Sequence, residues 1–315
     1  MDLHNVLPIS HISVATDEAV DFIDNRRKHM IESFKTRWPK FNNMCMGGIE
    51  SNVVYTVAGV SGSGKSAFAN MIETDIIDLN PNKDVAVLSF SFEMLSSRQV
   101  GRKISANLKQ SVSKLYSANE DLSDEDFARV VIASKRIRKY PIYYVDTPGS
   151  VEEIESTIYH FYENNVKGTN KYFIILLDHN LLVNRCGKSM LDTISDLQKV
   201  FIKVKKLPWT TIIQLSQMNR NIEAPERINN PFNHYPMRSD LSSADSIYQA
   251  SDYVFCIHRP DIYGIKAYGP DRLVVKNKVY LHLLKIREGE GRNLVFDNEL
   301  WKGNLQECEL EQLVD

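Results

Sequence analysis

One run of eight residues constrains the fold of this chain more than any other feature. Residues 59–66, GVSGSGKS, fit the pattern G-x-x-x-x-G-K-[ST] at every position. An apolar stretch at Val53–Ala58 precedes the run, and a helical pattern follows it to about Leu79. In a strand–loop–helix unit of this kind, backbone N–H groups of the loop surround phosphate oxygens at the start of the helix. A nucleotide site is therefore predicted here, with a plain glycine-rich turn as the alternative.

Within this loop, the last two residues have separate predicted roles. Lys65 would reach the β- and γ-phosphates, and the Ser66 hydroxyl would hold Mg²⁺. ATP and Mg²⁺ are accordingly the predicted cofactors. The residues predicted to hold the nucleotide are Gly59, Ser61, Gly62, Ser63, Gly64, Lys65 and Ser66.

Three other predicted strands end in polar side chains that suit the same chemistry. The apolar run at 173–178 ends in Asp178, a candidate ligand of the Mg²⁺ shell. Glu93 follows the second strand and could deprotonate an attacking water. Gln217 ends the fifth strand and could hydrogen-bond the γ-phosphate. The alternatives are an ordinary glutamate at a helix start and an ordinary polar strand end.

The order of the predicted elements indicates the fold class. The predicted strands are Val53–Ala58, Val85–Ser91, Ile142–Val145, Tyr172–Leu177, Thr211–Ser216, Tyr253–His258 and Val279–Ile286. The predicted helices between them are Leu95–Leu108, Asp124–Lys139, Ser150–Glu163 and Ser189–Lys206, and 218–245 is predicted to be a long loop. This alternation predicts an α/β fold whose mostly parallel sheet is covered by helices on both faces. Ligands of such sheets bind at the carboxyl ends of the strands.

The beginning of the chain has a different pattern. Asp17–Lys35 is predicted to be an amphipathic helix. Its apolar stripe consists of Val20, Ile23, Met30, Ile31 and Phe34. The stripe could pack on the core of its own chain or on a neighbouring copy. We therefore divide the chain into an N-terminal arm, residues 1–40, and a core domain, residues 41–315.

Charge and composition exclude several classes of protein. The 38 basic and 40 acidic residues leave a net charge of −2, so a polyanion would need a local patch. The four cysteines lie far apart, which argues against a disulfide framework or a zinc knuckle. The first residues lack the pattern of a signal peptide, and the longest aliphatic run, 173–177, is too short to span a bilayer. We expect a soluble cytoplasmic protein without a membrane partner.

Near the end of the chain, two cations stand two residues apart. Lys285 and Arg287 are predicted to lie on one side of a strand, just before the turn at Glu288-Gly289. Such a pair could project into another active site, and a solvated basic face is the alternative.

Together these residues resemble the DnaB-type replicative helicases, a family of RecA-like ring ATPases. The resemblance covers roughly 41–296. It is carried, in the family's order, by the phosphate loop, SFEM at 91–94, LSDED at 122–126, DTPG at 146–149, LSQMNR at 215–220 and KIR at 285–287. It implies a RecA-like core with an N-terminal linker helix that docks on the next subunit.

The resemblance also implies roles for the candidate residues. Glu93 would be the catalytic base and Asp178 the Walker B acid, while Lys65 and Ser66 would bind nucleotide and Mg²⁺. Gln217 would couple hydrolysis to movement. Lys285 and Arg287 would be finger residues supplied to the ATP of the neighbouring subunit.

The implied function is an ATP-dependent DNA helicase that forms a homo-oligomeric ring, expected to be a hexamer, on single-stranded DNA during replication. A primase or a helicase loader is an expected partner. Filament-forming recombinases and nucleotide-gated scaffolds remain alternatives, whereas a small-molecule kinase fits poorly because no lid of arginines is evident.

The sequence departs from the family pattern at three places. No counterpart of the family's N-terminal domain is evident, and Ser242–Asp245 replaces a charged pair in the expected DNA loop after Ser239-Asp240-Leu241. His179 stands where the family often has tyrosine, and it is assigned no role. These departures lead us to expect a divergent member of viral type, which would act in the host cytoplasm.

Overall fold

A computed structural model describes residues 9–312 apart from 120, 121, 231, 233 and 243. The first eight residues of the predicted arm and Ser243 of the predicted DNA loop therefore lie outside the described residues. Within the described chain, nine strands form one sheet in the order β11-β10-β9-β6-β1-β5-β4-β2-β3. The strands of this sheet are β1 (Val54–Gly59), β2 (Val85–Ser91), β3 (Ile142–Val145), β4 (Tyr172–Asp178), β5 (Thr210–Gln217), β6 (Tyr253–His258), β9 (Lys278–Ile286), β10 (Leu294–Glu299) and β11 (Asn304–Glu307). A separate pair consists of β7 (Ala267–Tyr268) and β8 (Leu273–Val274).

Six of these strands, β1 to β6, are parallel, and three further strands extend the sheet antiparallel beyond β6. Every residue of β1 and β2 is buried, which explains why their sequences are continuous apolar runs rather than alternating ones. The predicted parallel sheet is confirmed. The strands β10 and β11 were not predicted, because their sequences are short and mixed in polarity.

Helices cover both faces of the sheet. They are α1 (Ile12–Arg27), α2 (Pro39–Met44), α3 (Lys65–Asp78), α4 (Ser96–Leu108), α5 (Val112–Tyr116), α6 (Asp124–Ile137), α7 (Val151–Asn165), α8 (Met190–Val204), α9 (Pro225–Ile228) and α10 (Ala244–Ala250). A capping box begins α7, with Ser150 and Glu153 bonded to each other's backbone N–H groups. The predicted long loop 218–245 contains the short helix α9, two 3-10 turns and the first residues of α10.

Each face of the sheet has its own apolar core. One core includes Phe68 of α3, together with Phe34 and Trp38. The other is formed by α7 and α8, where Leu197 and Phe201 are fully buried. The sheet therefore separates two hydrophobic layers, as a mostly parallel sheet requires.

The predicted helix at 17–35 is placed wrongly at both ends. The observed helix α1 ends at Arg27, and His29 then adopts a left-handed φ of 57° that stops the helix. Phe34 pairs with Ile49 through two backbone hydrogen bonds of 2.8 Å, so it lies in extended backbone. The apolar stripe thus divides between two environments.

Phe34 and the residues of α1 differ in their exposure to solvent. Phe34 is 1% exposed in the core of its own chain, whereas no residue of α1 is buried. Val20 and Ile23 are 58% and 65% exposed. Trp38 continues the buried segment, stacks on Phe68 at 4.6 Å between ring centroids, and donates its indole N–H to the Leu305 carbonyl at 2.8 Å.

Candidate active site

The phosphate loop lies where the sequence predicts it, between β1 and α3. Gly62 and Gly64 have φ of 75° and 103°, a region in which other residues are strained. A Cβ on Gly59 would lie 2.6 Å from the carbonyl oxygen of Ile257 on the neighbouring strand β6. The glycines are therefore required by backbone conformation and by close packing, and the loop leads directly into the N-terminus of α3.

Lys65 is buried inside this loop. Its ammonium donates hydrogen bonds to the carbonyls of Gly59 and Val60, both at 2.9 Å. Burial lowers the pKa of Lys65, and the nearby carboxylate of Asp178 opposes that shift. The loop thus places a cation between its own carbonyl oxygens and the carboxylates of the site.

Asp178 ends β4, and the adjacent strand β2 places Ser91 beside it. The Ser66 hydroxyl lies near the Asp178 carboxylate. Burial raises the pKa of Asp178, and the nearby Ser66 hydroxyl works against that rise. Oδ1 of Asp178 is buried without a hydrogen-bond partner among the described residues. An unpartnered carboxylate oxygen next to a hydroxyl fits the outer part of a Mg²⁺ shell, as the sequence predicts.

Glu93 lies on the turn between β2 and α4, and about half of its side chain is exposed. Three hydrogen bonds hold this turn. The Phe92 N–H donates to the Asp178 carbonyl at 2.9 Å, the Ser91 hydroxyl donates to the Met94 carbonyl at 2.5 Å, and the Ser96 N–H donates to the Asp146 carboxylate at 3.1 Å. The DTPG motif at 146–149 thus supports the residue predicted to be the base.

Gln217 ends β5 in register with Gly59. Its Nε2 lies 3.2 Å from Nε2 of His179, and the same imidazole nitrogen lies 3.8 Å from Oε2 of Glu93. Sequence reasoning assigned no role to His179, which is 4% exposed. The sequence does contain a feature that indicates a role for His179, because this residue directly follows Asp178 at the carboxyl end of β4.

A cleft of about 260 Å³ is lined by Lys65, Ser66, Glu93 and Gln217. Two arginines that were not identified from the sequence also line it. Arg102 projects from α4, and Arg259 follows β6. The guanidinium of Arg102 makes no salt bridge or hydrogen bond with the described residues, while that of Arg259 pairs with Asp261 at 3.2 Å. Arg102 could have been identified from the sequence, because it lies two turns into the helix that follows β2, the strand that leads to Glu93.

The structure does not bring Lys285 and Arg287 to this cleft. Lys285 is in register with Val254 near the amino end of β6, the end away from the phosphate loop. It donates hydrogen bonds to the carbonyl oxygens of Tyr248 and Gln249. Strand β9 ends at Ile286, so Arg287 lies one residue beyond the strand rather than on it.

Arg287 pairs with the carboxylate of Asp252 at 2.9 Å, and its N–H donates to the Asp252 carbonyl at 3.0 Å. Asp252 in turn accepts a hydrogen bond from the Val54 N–H at the start of β1. Arg287 is therefore level with Val54, five residues before Gly59, or roughly 16 Å away along the strands.

The segment predicted to contact DNA is attached to the end of β5. The Ser242 N–H donates to the Gln217 carbonyl at 3.0 Å, and the Asn219 N–H donates to the Asp240 carbonyl at 2.7 Å. The Asp240 side chain is buried and forms a 2.5 Å salt bridge with Arg227. A displacement of Gln217 would therefore act directly on 239–242.

Two features are absent from the described part of the chain. No group of three or more His, Cys, Asp and Glu side chains there could hold a metal ion by itself. None of the helices in that part is both long enough and apolar enough to cross a bilayer.

Comparison with known proteins adds independent information. The family model of the DnaB-like helicase C terminal domain matches residues 33–302. Replicative DNA helicase DnaC of Bacillus subtilis (strain 168) is 27% identical over 259 residues, and replicative DNA helicase DnaB of Geobacillus stearothermophilus is 26% identical over 260 residues. Each match covers 81% of this chain and 53% of the relative, so the chain spans about half the length of these relatives.

Solved structures show the same fold. One solved ATPase domain matches with a TM-score of 0.77 and 23% identity, over 93% of this chain and 98% of that domain. A DnaB-like replicative helicase, solved in a study of its interactions with primase, matches with a TM-score of 0.75 and 23% identity, over 93% of this chain and 67% of that one. The predicted RecA-like α/β fold is confirmed. Since the family model covers most of the chain, the protein belongs to the DnaB-like helicase C-terminal domain family.

Proposed function

We propose that this protein is an ATP-dependent replicative DNA helicase that works as a subunit of a ring on single-stranded DNA. One observation carries the proposal. One cleft is lined by Lys65, Glu93 and Gln217, which follow or end three strands of the parallel sheet, and Asp178 at the end of a fourth strand lies close to Lys65. The carbonyl of Gln217 accepts a hydrogen bond from Ser242 in the segment predicted to contact DNA.

The phosphate loop and Lys65 would bind the nucleotide. Lys65 would exchange its two loop carbonyls for phosphate oxygens, an exchange favoured by the full negative charge of the new partners. Ser66 and Asp178 would hold Mg²⁺, which supplies charge neutralisation at the phosphates when it is bound. Arg102 lines the same cleft and would add a second cation from the same chain.

Glu93 would act as the general base. Its half-exposed carboxylate faces the cleft, and three hydrogen bonds hold the turn that carries this residue. It would take a proton from the water that attacks the γ-phosphate. Gln217 would sense the γ-phosphate through its amide, and its main chain would pass any shift to 239–242 through the bond to Ser242.

The finger residues would act on a neighbouring subunit. In their own chain, Lys285 and Arg287 lie at the opposite edge of the sheet from the phosphate loop. Arg287 is half exposed, so its salt bridge with Asp252 is worth about 1 kcal/mol or less. Asp252 would remain paired with Lys205 at 2.8 Å if Arg287 turned toward a phosphate. A closed ring, for which we propose six subunits, would place this edge against the next cleft.

Helix α1 is the second element that we propose to act between subunits. Its apolar residues Val20 and Ile23 are uncovered, and α6 exposes a matching set, Phe127, Val131 and Ile132. Packing between these two surfaces would remove both sets from water, with a gain of about 25 cal/mol for each Å² buried.

The charges of the two helices favour the same pairing. The middle of α1 carries Asp17, Glu18 and Asp21, while the last turn of α6 carries Lys135 and Arg136. Contact between these helices from different subunits would thus bring opposite charges together.

The proposed DNA contact is the backbone of 239–242. Binding through the DNA backbone implies little sequence preference and a strong dependence on salt. A primase or a helicase loader is a proposed partner, and the cytoplasm is the proposed compartment.

The direct test is unwinding of a forked DNA by the purified chain with ATP and Mg²⁺. We expect strand separation that stops with a non-hydrolysable ATP analogue and is absent in Lys65→Ala. Matched substrates with and without a single-stranded tail separate translocation from passive melting. ATP hydrolysis without any strand separation or movement on single-stranded DNA would contradict the helicase proposal.

A further inference from the structure

His179 is a buried imidazole that no other part of the proposed mechanism uses. Its Nε2 lies between the two groups that act on the γ-phosphate and its water, 3.2 Å from Gln217 and 3.8 Å from Glu93. Only 4% of the residue is exposed, so solvent cannot readily replace either contact. What this nitrogen can do depends on whether it carries the proton.

The backbone settles the tautomer. The Leu181 N–H donates to Nδ1 of His179 at 3.3 Å, so Nδ1 must be the acceptor nitrogen of a neutral ring. The proton of the ring is then on Nε2. His179 consequently presents one N–H donor to Glu93 and Gln217.

A donor on Nε2 also fixes the orientation of the Gln217 amide. Two N–H groups facing each other at 3.2 Å would repel, whereas a 180° rotation of the amide brings Oε1 into the same place. His179 then donates to the carbonyl oxygen of Gln217. The Glu93 carboxylate, at 3.8 Å, is just beyond hydrogen-bond distance and competes for the same proton.

We propose that His179 is a positioning residue whose single Nε2–H exchanges between Gln217 and Glu93. While Gln217 holds this N–H, Glu93 is not fixed. When the Gln217 amide turns to the γ-phosphate, the N–H is released to the Glu93 carboxylate and orients it toward the attacking water. The inference rests on the proposed function, since it assigns the base and the sensing amide as we do above.

The test uses two variants of similar polarity and different reach. In His179→Gln, the side-chain amide nitrogen can take the place of Nε2. In His179→Asn, the side chain can still accept the bond from Leu181 N–H, but its nitrogen falls short of Glu93 and Gln217. Loss of a partner that orients a reacting group typically lowers activity about 10- to 100-fold.

For His179→Asn we therefore expect kcat for ATP to fall about 10- to 100-fold, with KM and the affinity for a fluorescent ATP analogue within about twofold of wild type. His179→Gln should recover most of the loss. Thermal unfolding of each variant reports folding. An equal loss of kcat in both variants, or a wild-type kcat in His179→Asn, would overturn the inference.

A double-mutant cycle gives a second readout. In a Glu93→Gln background, His179→Asn should cause little further loss, because the carboxylate that it orients is already gone. Losses that simply multiply would contradict the exchange. Lys65→Ala is a separate control for the proposed function. ATP hydrolysis by Lys65→Ala would contradict that function. The role of His179 would still be judged from the His179 variants alone.

Discussion

The two edges of the parallel sheet differ in what their functional side chains contact. At the carboxyl edge, Lys65, Glu93 and Gln217 line one cleft, and Asp178 lies close to Lys65. At the amino edge, Arg287 and its neighbour Lys285 contact a carboxylate and backbone carbonyls, with no phosphate loop beside them. We therefore propose that the first edge binds ATP within one chain and that the second reaches the phosphate of another chain. This difference is the structural basis for proposing that hydrolysis needs two subunits.

The first prediction separates the two edges. Arg287→Ala should lower ATP hydrolysis by about 10³- to 10⁵-fold while nucleotide affinity stays within about twofold, because an arginine finger acts on charge that develops in the transition state. Lys65→Ala should lose nucleotide binding as well as hydrolysis. Fluorescent-nucleotide titration and steady-state ATPase assays measure both quantities. Loss of affinity in Arg287→Ala would show that the guanidinium already contacts ground-state nucleotide.

The second prediction concerns chemistry at the carboxyl edge. Glu93→Gln keeps the shape of the side chain and removes the base, so hydrolysis should fall about 10²- to 10⁴-fold with ATP binding retained. Glu226→Gln, on the short helix α9 and outside the residues that line the cleft, is the matched control. If Glu93→Gln hydrolyses ATP within about threefold of wild type, another carboxylate is the base.

The third prediction contrasts the two halves of the N-terminal apolar stripe. Phe34→Ala should cost about 3–5 kcal/mol of unfolding free energy, because Phe34 is buried in its own chain. Ile23→Ala, at a position 65% exposed, should change that free energy by less than about 0.5 kcal/mol.

The exposed residues of α1 should matter for assembly of subunits rather than for the stability of one chain. Ile23→Ala combined with Val20→Ala should weaken oligomerisation with ATP and Mg²⁺, as measured by light scattering across a range of protein concentrations. An unchanged mass distribution would show that α1 is not a contact between subunits.

The sequence predicts the carboxyl edge well, because its features are local. The glycine pattern specifies the loop, and each polar residue follows an apolar run that can be recognised as a strand. Contacts between residues on different strands could not be predicted in this way. His179 meets Glu93 and Gln217 because β4 lies between β2 and β5, and Arg102 reaches the cleft because α4 folds back over it.

The N-terminal error has a different physical cause. A helical spacing of apolar residues continued to Phe34, but the backbone leaves the helix after Arg27 and Phe34 pairs with Ile49 instead. The pairing of Phe34 with a residue 15 positions away therefore determines its conformation, rather than the helical spacing of the apolar residues before it. The location of Lys285 and Arg287 at the amino edge likewise follows from the antiparallel pairing of β9 with β6, which strand patterns alone do not specify.

The central claim is that one active site combines the loop of one subunit with the finger of the next. Mixing Lys65→Ala with Arg287→Ala tests it most directly, because some interfaces in a mixed ring then pair a wild-type Lys65 with a wild-type Arg287. At concentrations above assembly and with subunit exchange confirmed by fluorescence transfer, we predict more ATPase activity than the sum of the two variants, with a maximum at intermediate ratios. Activity equal to that sum at every ratio would contradict a finger supplied by a neighbouring subunit.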